Sequence, residues 1–265
     1  MNYYITTFCY GKKYEPIKSK WCHRIETMCK NSFFEIFTTC NINLIYGFRY
    51  AWWDLVRLYN NINLLLKTQK PVVNVDIDLI IEKDIEQIVN LDYDLIISKE
   101  IGNDEAFPKE YSNILGFGIC SGFYIIKPSA TIFMSKMYDL MKTNNETYSD
   151  QVNLMKYIVN NEHTIYYEDA ILDNIKYTNI IINIDNIKIC VLDFNIIIRD
   201  PIFNIGQFGN HINIDNVGGT QNFLQYFDNN LESLPLTCRC GKSHLGDNNI
   251  CNHLEIRNNK QEITN

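Results

Sequence analysis

Positive charge is scarce in this chain. Its 24 Lys and Arg stand against 31 Asp and Glu, for a formal net charge of -7 and a pI near 5.3. General nucleic-acid binders are basic, so no nucleic-acid partner is expected. No stretch of about eighteen apolar residues occurs, and a membrane-spanning helix is not expected either. The amino terminus has neither the basic stretch nor the continuous apolar block of a secretory signal. Together with an odd count of 9 cysteines, this argues for a reducing, cytoplasmic environment rather than a disulfide framework. No G-x-G-x-x-G follows the first apolar run, which argues against nicotinamide binding. Internal repeats and long low-complexity linkers are missing as well.

What remains is a chain of 265 residues with an apolar fraction of 46%, enough for a sizeable core. The length suits one large domain, placed at 1–232, with a small Cys/His-containing tail at 233–265. Asparagine is in marked excess, with 34 residues. Such a bias fits an AT-rich genome, as in some protists and large DNA viruses. It weakens Asn as a turn signal.

The apolar pattern predicts a strand over residues 2–8, a helix over 16–30 and a strand over 33–38. A helix over 49–67 follows, carrying Trp52, Leu55, Val56, Tyr59, Ile62 and Leu66 at helical spacing. Pro71 opens a strand that ends at Asp76. This β-α-β-α-β order is that of a parallel sheet covered by helices. Further on, the pattern predicts a short helix over 82–90, a strand over 93–98 and a loop over 100–114. An apolar segment over 116–127 is interrupted at Ser121-Gly122, as in a bent strand or a strand pair. Helices follow at 129–141 and 150–160, then several Ile-rich strands over 163–213 and a last helix over 220–230.

The chemistry concentrates at Asp76-Ile77-Asp78. Two Asp-x-Asp pairs occur, and about one is expected by chance. Asp92 and Asp94 precede a strand, where polar residues enter a sheet from solvent. Asp76 and Asp78 follow the apolar run Val72-Val73-Asn74-Val75 and lead into Leu79-Ile80-Ile81. Carboxylates so flanked are costly to bury unless paired or metal-bound. At the carboxyl end of a central strand they stand where open α/β sheets bind ligands, and a divalent cation with a phosphorylated ligand is the natural guest.

Four segments in order carry a resemblance over residues 2–215. They are Tyr3-Tyr4-Ile5-Thr6-Thr7, Val75-Asp76-Ile77-Asp78, Gly118-Ile119-Cys120-Ser121-Gly122-Phe123-Tyr124 and Ser149-Asp150-Gln151-Val152-Asn153. With them the chain resembles the nucleotide-diphospho-sugar glycosyltransferases of the GT-A type, relatives of glycogenin. The resemblance implies an α/β fold, a Rossmann-like mixed sheet flanked by helices, and sugar transfer from a nucleotide-diphosphate sugar, UDP-linked, to a glycan, protein or small-molecule hydroxyl. It implies that Asp76 touches the donor ribose and shares the metal, that Asp78 ligates it, and that His211 completes the sphere. The cation would be Mn2+ or Mg2+, and the imidazole favours Mn2+. Thr6, Thr7, Phe8 and Tyr10 would hold the base and ribose, and Ser121 and Gly122 would meet the sugar. Asp150 and Gln151 would stand at the reaction centre. Oligomerisation is left open.

Other residues are read on their own terms. Arg49 and Arg57, eight apart, share roughly one helix face, where a guanidinium can grip phosphate. Arg57 also lies three residues from Asp54, which reads as an ordinary helix-surface pair. Trp52 and Trp53 read as packing residues. No lysine follows His211 at the position where glycogenin-like relatives clamp diphosphate. An inactive sugar-nucleotide-binding or scaffold protein therefore stands as an alternative. A nucleotidyltransferase is a third reading, although Gly11-Lys12-Lys13 is a poor phosphate loop. In the tail, Cys238, Cys240, Cys251 and His253 have the ligand types of a Zn2+ site, without the spacing of a standard finger.

Overall fold

Strand alternation and a run of buried residues set the frame. The structure, a computed structural model, describes residues 2–37, 51–100, 109–144, 147–199, 206–212, 214 and 219–228. Arg49, the boundary expected near residue 232, and Cys238, Cys240, Cys251 and His253 lie outside these residues.

The described strands are β1 (Tyr3–Phe8), β2 (Ser32–Phe37), β3 (Val72–Val75), β4 (Leu79–Ile81), β5 (Leu95–Glu100), β6 (Gly118–Ile126), β7 (Thr164–Leu172), β8 (Ile175–Ile184), β9 (Ile187–Val191), β10 (Ile197–Arg199) and β11 (Gly209–His211). The helices are α1 (Lys18–Met28), α2 (Trp52–Thr68), α3 (Glu86–Val89), α4 (Lys109–Leu115), α5 (Thr131–Thr143), α6 (Asp150–Asn160) and α7 (Thr220–Asp228).

Eight strands form one mixed sheet in the order β2-β1-β3-β6-β5-β9-β8-β7. β1 runs parallel to β2 and β3, and β5 runs parallel to β9. β6 is antiparallel to both neighbours. Every residue of β3 and β6 is buried, as expected of strands covered on both faces. One face carries Leu58, Leu65, Phe133, Met137, Met155 and Ile158 from α2, α5 and α6. The other packs Ile17, Trp21, Ile25 and Phe223 against Tyr3, Ile5 and Val73. Each fully buried side chain of this size contributes about 1.5–3 kcal/mol. α2 is thus anchored firmly enough to carry charge into the interior.

Three expectations need correction, and one pair of alternatives is decided. Residues 79–81, read only as an apolar run after the acid pair, form β4 and enter a second sheet ordered β10-β11-β4. The helix expected over 82–90 shrinks to Glu86–Val89. A helix, α4, occupies Lys109–Leu115 inside the expected loop; Gly102 and Pro108 break the pattern only upstream of it. The segment around Ser121-Gly122 is one strand, not two. Its register with β5 jumps from Ile97↔Tyr124 to Ser98↔Cys120, so the bend is a bulge within β6. No described helix is long and apolar enough to cross a membrane.

Candidate functional site

β3 ends at Val75, and the next residues turn at once: the Leu79 amide donates to the Asp76 carbonyl at 2.9 Å. The Asp76 amide donates to the Gly122 carbonyl at 2.8 Å, and the Ile212 amide donates to the Asp78 carbonyl at 3.0 Å. The acid pair is therefore pinned between the β6 bulge and the end of β11. β4 pairs antiparallel with β11 in the register His211↔Leu79, and this pairing delivers His211 to the acids. His211 Nε2 lies 3.1 Å from Asp78 Oδ1 and 3.7 Å from Asp76 Oδ2. One ligand atom from each of Asp76, Asp78 and His211 falls within 4.8 Å of the others.

Gly122 lines the cleft and also makes room for His211. A Cβ there would lie 2.5 Å from His211 Cε1 and Nδ1 and 3.1 Å from Asp76 Oδ2. Only a glycine admits the imidazole at this place. Cys120 Sγ is 3.6 Å from His211 Nδ1. Ser121 faces the other way, with its amide and hydroxyl on Gln151 Oε1 at 3.2 and 3.3 Å.

Arg57 is the hub of the site. Its guanidinium donates to Asp76 Oδ1, to Asp150 Oδ2 at 2.7 Å and to Ser121 Oγ at 3.1 Å, and it pairs with Asp54 Oδ1 at 3.0 Å. The side chains of Arg57 and Asp54 are only 5% and 9% exposed, which overturns the surface-pair expectation. Asp54, Arg57 and Asn61 fall in phase with Leu58 and Leu65 on the buried stripe of α2. Polar residues inside an apolar stripe were the signal for this cluster. Beneath it, Asn61 Nδ2 donates to Tyr124 OH at 2.9 Å, and Asn74 Nδ2 donates to the Ser121 carbonyl at 3.2 Å.

The electrostatics are unbalanced. Burial raises the Asp54 carboxyl well above the usual carboxylate range; Asp150 raises it further, and Arg57 opposes the shift. Burial also raises Asp76, against the pull of Arg57 and His211. Burial opposes charge on His211, but Asp78 and the Cys120 contact outweigh it and hold the imidazole above its ordinary value. Against four acids, Asp54, Asp76, Asp78 and Asp150, stand the His211 imidazole and one guanidinium. The Arg57 Nε, buried, has no hydrogen-bond partner among the described residues. Two carboxylates and an imidazole converging in a site short of positive charge fit a divalent cation.

A cleft of about 520 Å³ opens over this group. Its floor is Asp76, Asp78, Ser121, Gly122, Gln151 and His211, and one wall is Phe8, Tyr10, Trp52 and Trp53. The Tyr10 and Trp52 rings meet edge to face at 5.0 Å, and Phe8 and Tyr10 stack at 6.4 Å. Trp52 and Trp53 thus line the cleft as well as pack. Thr6 and Thr7 do not line it. Both are fully buried, and the Thr6 hydroxyl donates to Asn61 Oδ1 at 2.7 Å. Asp150 is turned behind Ser121 onto Arg57, away from the lining. The described cysteines Cys9, Cys22, Cys29, Cys120 and Cys190 form no disulfide among the described residues.

The family profile described as nucleotide-diphospho-sugar transferase matches residues 56–215, a span that contains the acid pair, Arg57, the β6 bulge and His211. No curated protein matches the chain. Among solved structures, a glycosyltransferase involved in glycosylation of the major capsid of PBCV-1 superposes with a TM-score of 0.53 at 11% identity, covering 86% of this chain and 99% of that one. Mouse xyloside xylosyltransferase 1, in its apo form, gives a TM-score of 0.42 at 8% identity over 75% of this chain and 88% of its own. At such identities the first likeness is one of fold, and that fold is the mixed α/β GT-A type.

Proposed function

The chain belongs to the nucleotide-diphospho-sugar transferase family, and from that premise we propose that it transfers a sugar from a UDP-linked donor to an acceptor hydroxyl with Mn2+ or Mg2+ bound at Asp76, Asp78 and His211. The observation that carries this reading is the convergence of those three ligand atoms on the floor of an aromatic-walled cleft. A divalent cation there supplies Lewis-acid charge to a diphosphate leaving group.

The chain's own residues divide the remaining work. Tyr10, 53% exposed and braced edge-on by Trp52, offers a face for a nucleobase to stack on. Gln151 and Ser121 present a hydrogen-bonded amide and hydroxyl to the sugar side of the floor. Arg57 acts through its neighbours: it fixes the Asp76 carboxylate so that Oδ2 faces His211 while Oδ1 is occupied. Committed to three carboxylates, it is poorly placed to grip phosphate too, so the diphosphate depends on the cation.

One observation favours a second reading, donor binding without turnover. Asp150, the acid expected at the reaction centre, is tied to Arg57 and does not line the cleft. Calorimetry with UDP-, GDP- and CMP-sugars, with and without Mn2+, tests the primary reading. Saturable, Mn2+-dependent binding of a UDP-sugar is the expected result, and no binding of any sugar nucleotide would sink the proposal. Release of free nucleotide in the presence of glycan, peptide or small-molecule acceptors then separates enzyme from binder.

A further inference from the structure

His211 meets two residues of one strand. The missing side chain of Gly122 leaves room for the imidazole, since a Cβ there would come within 2.5 Å of Nδ1. Cys120 places its sulfur 3.6 Å from the same Nδ1. Cys120 is 3% exposed and lines the cleft. Nε2 points the opposite way, toward Asp78 and Asp76. The ring thus has one nitrogen on the acids and one on a thiol.

An imidazole that ligates a cation through Nε2 must carry its proton on Nδ1, and the group that receives that proton's hydrogen bond fixes both tautomer and ring orientation. Metal-bound histidines commonly use a carboxylate or carbonyl for this purpose. Here the neighbour is a sulfur, a weak and polarisable acceptor. We propose that Cys120 is a positioning residue for the cation site: its Sγ accepts the Nδ1–H of His211 and, in the room that Gly122 leaves for the ring, keeps the Nε2 lone pair aimed between Asp76 and Asp78. The inference rests on the metal reading above and adds a residue outside its three proposed ligands. It also accounts for the pairing of a small thiol with a glycine two residues apart.

The test uses the full chain and Mn2+ alone, with free Mn2+ followed by electron paramagnetic resonance in the absence of donor. Cys120→Ala is expected to weaken Mn2+ binding about tenfold, the lower end for loss of a ligand's supporting hydrogen bond. Cys120→Ser, whose shorter hydroxyl still accepts, is expected between alanine and the native protein. In parallel, nitrogen-15 spectra of the Mg2+-loaded protein, with His211 assigned by its absence in His211→Ala, should show the Nδ1-protonated tautomer. That signal should be lost or mixed in Cys120→Ala. A merely structural role would leave the tautomer unchanged. Native affinity and an unchanged tautomer in Cys120→Ala, or serine binding more weakly than alanine, would overturn the inference and leave the metal site standing. Failure of the native chain to bind Mn2+ beyond the level of Asp78→Ala would overturn both.

Discussion

Around Arg57, at the tips of β3 and β6, Asp54, Asp76 and Asp150 crowd one guanidinium out of water's reach. At the far end of the same sheet, Lys136 meets Asp185, Lys176 meets Asp169 and Lys188 meets Glu168, with side chains about one-third to two-thirds exposed. The residue types are alike and the consequences are opposite. In the buried group, burial drives Asp54 and Asp76 up. In the exposed group, hydrogen bonds from lysines draw Asp169 and Asp185 down. Exposed pairs are worth little because water screens them and their long side chains lose entropy. A buried cluster with surplus negative charge is costly in isolation. It persists here because it is built around the place where a cation and a diphosphate are proposed to sit.

The strongest way to break this contrast is to remove a ligand. Asp78→Ala should abolish saturable Mn2+ binding and reduce transfer, measured as nucleotide release, by about a thousandfold, the equivalent of about 4 kcal/mol of electrostatic stabilisation. The apo protein should remain folded, since Asp78 is partly exposed. Native turnover without a bound metal would remove the main reason for regarding the buried cluster as functional.

Next in size is the hub. Arg57→Met leaves Asp150 buried and Asp76 partly buried without their counter-charge, and a loss of up to about 3–5 kcal/mol in urea unfolding is expected. Arg57→Lys should recover only part, because one ammonium cannot span partners that the planar guanidinium meets from two nitrogens. A cost below about 1 kcal/mol would place Arg57 with the exposed lysines instead.

Smaller again is Gly122→Ala. The added methyl must displace the His211 ring, and overpacking of this kind costs about 1–3 kcal/mol. Mn2+ affinity should fall in this variant, as read by calorimetry, while the β5–β6 pairing is retained.

The two regions also differ in how openly the sequence displays them. The acid pair was readable because an apolar run ends on it, and His211 because the order of motifs pointed to it. The alternation of strands and helices through β3 follows from apolar spacing alone. The buried hub was not readable from pair spacing, since Asp54 and Arg57 three apart look the same on a wet helix face as on a dry one. Their phase with Leu58 and Leu65 held the information. Gly122 was read as a place where the sugar comes close; that it also admits His211 was not readable, because the ring is brought by the β4–β11 pairing of residues more than a hundred positions apart. Long-range register of that kind leaves no local periodicity to read. Thr6 and Thr7 failed as cleft residues for the same reason: their strand's depth in the sheet is set by β2 and β3 on either side.

The smallest effects belong to the exposed end and carry the opposite pH sign. Asp185 accepts hydrogen bonds from Lys136 and Tyr157, and these hold its carboxyl below the ordinary value. Its contribution is therefore present above the ordinary carboxylate pKa and lost as pH falls through the lowered folded value. Asp54 is raised. Between the ordinary value and its folded one, the native protein keeps a proton that the unfolded chain has released, so stability declines as pH rises through that window. Lys136→Ala should cost only about 0.2–1 kcal/mol at neutral pH, and that difference should shrink as the acid is protonated. Asp54→Asn should flatten the decline seen in metal-free protein as pH rises above the ordinary carboxylate value. Urea unfolding of both variants across that range measures the two slopes side by side. Slopes of the same sign would mean that Asp54 is wet, and that the division between a buried functional cluster and an exposed ladder is wrong.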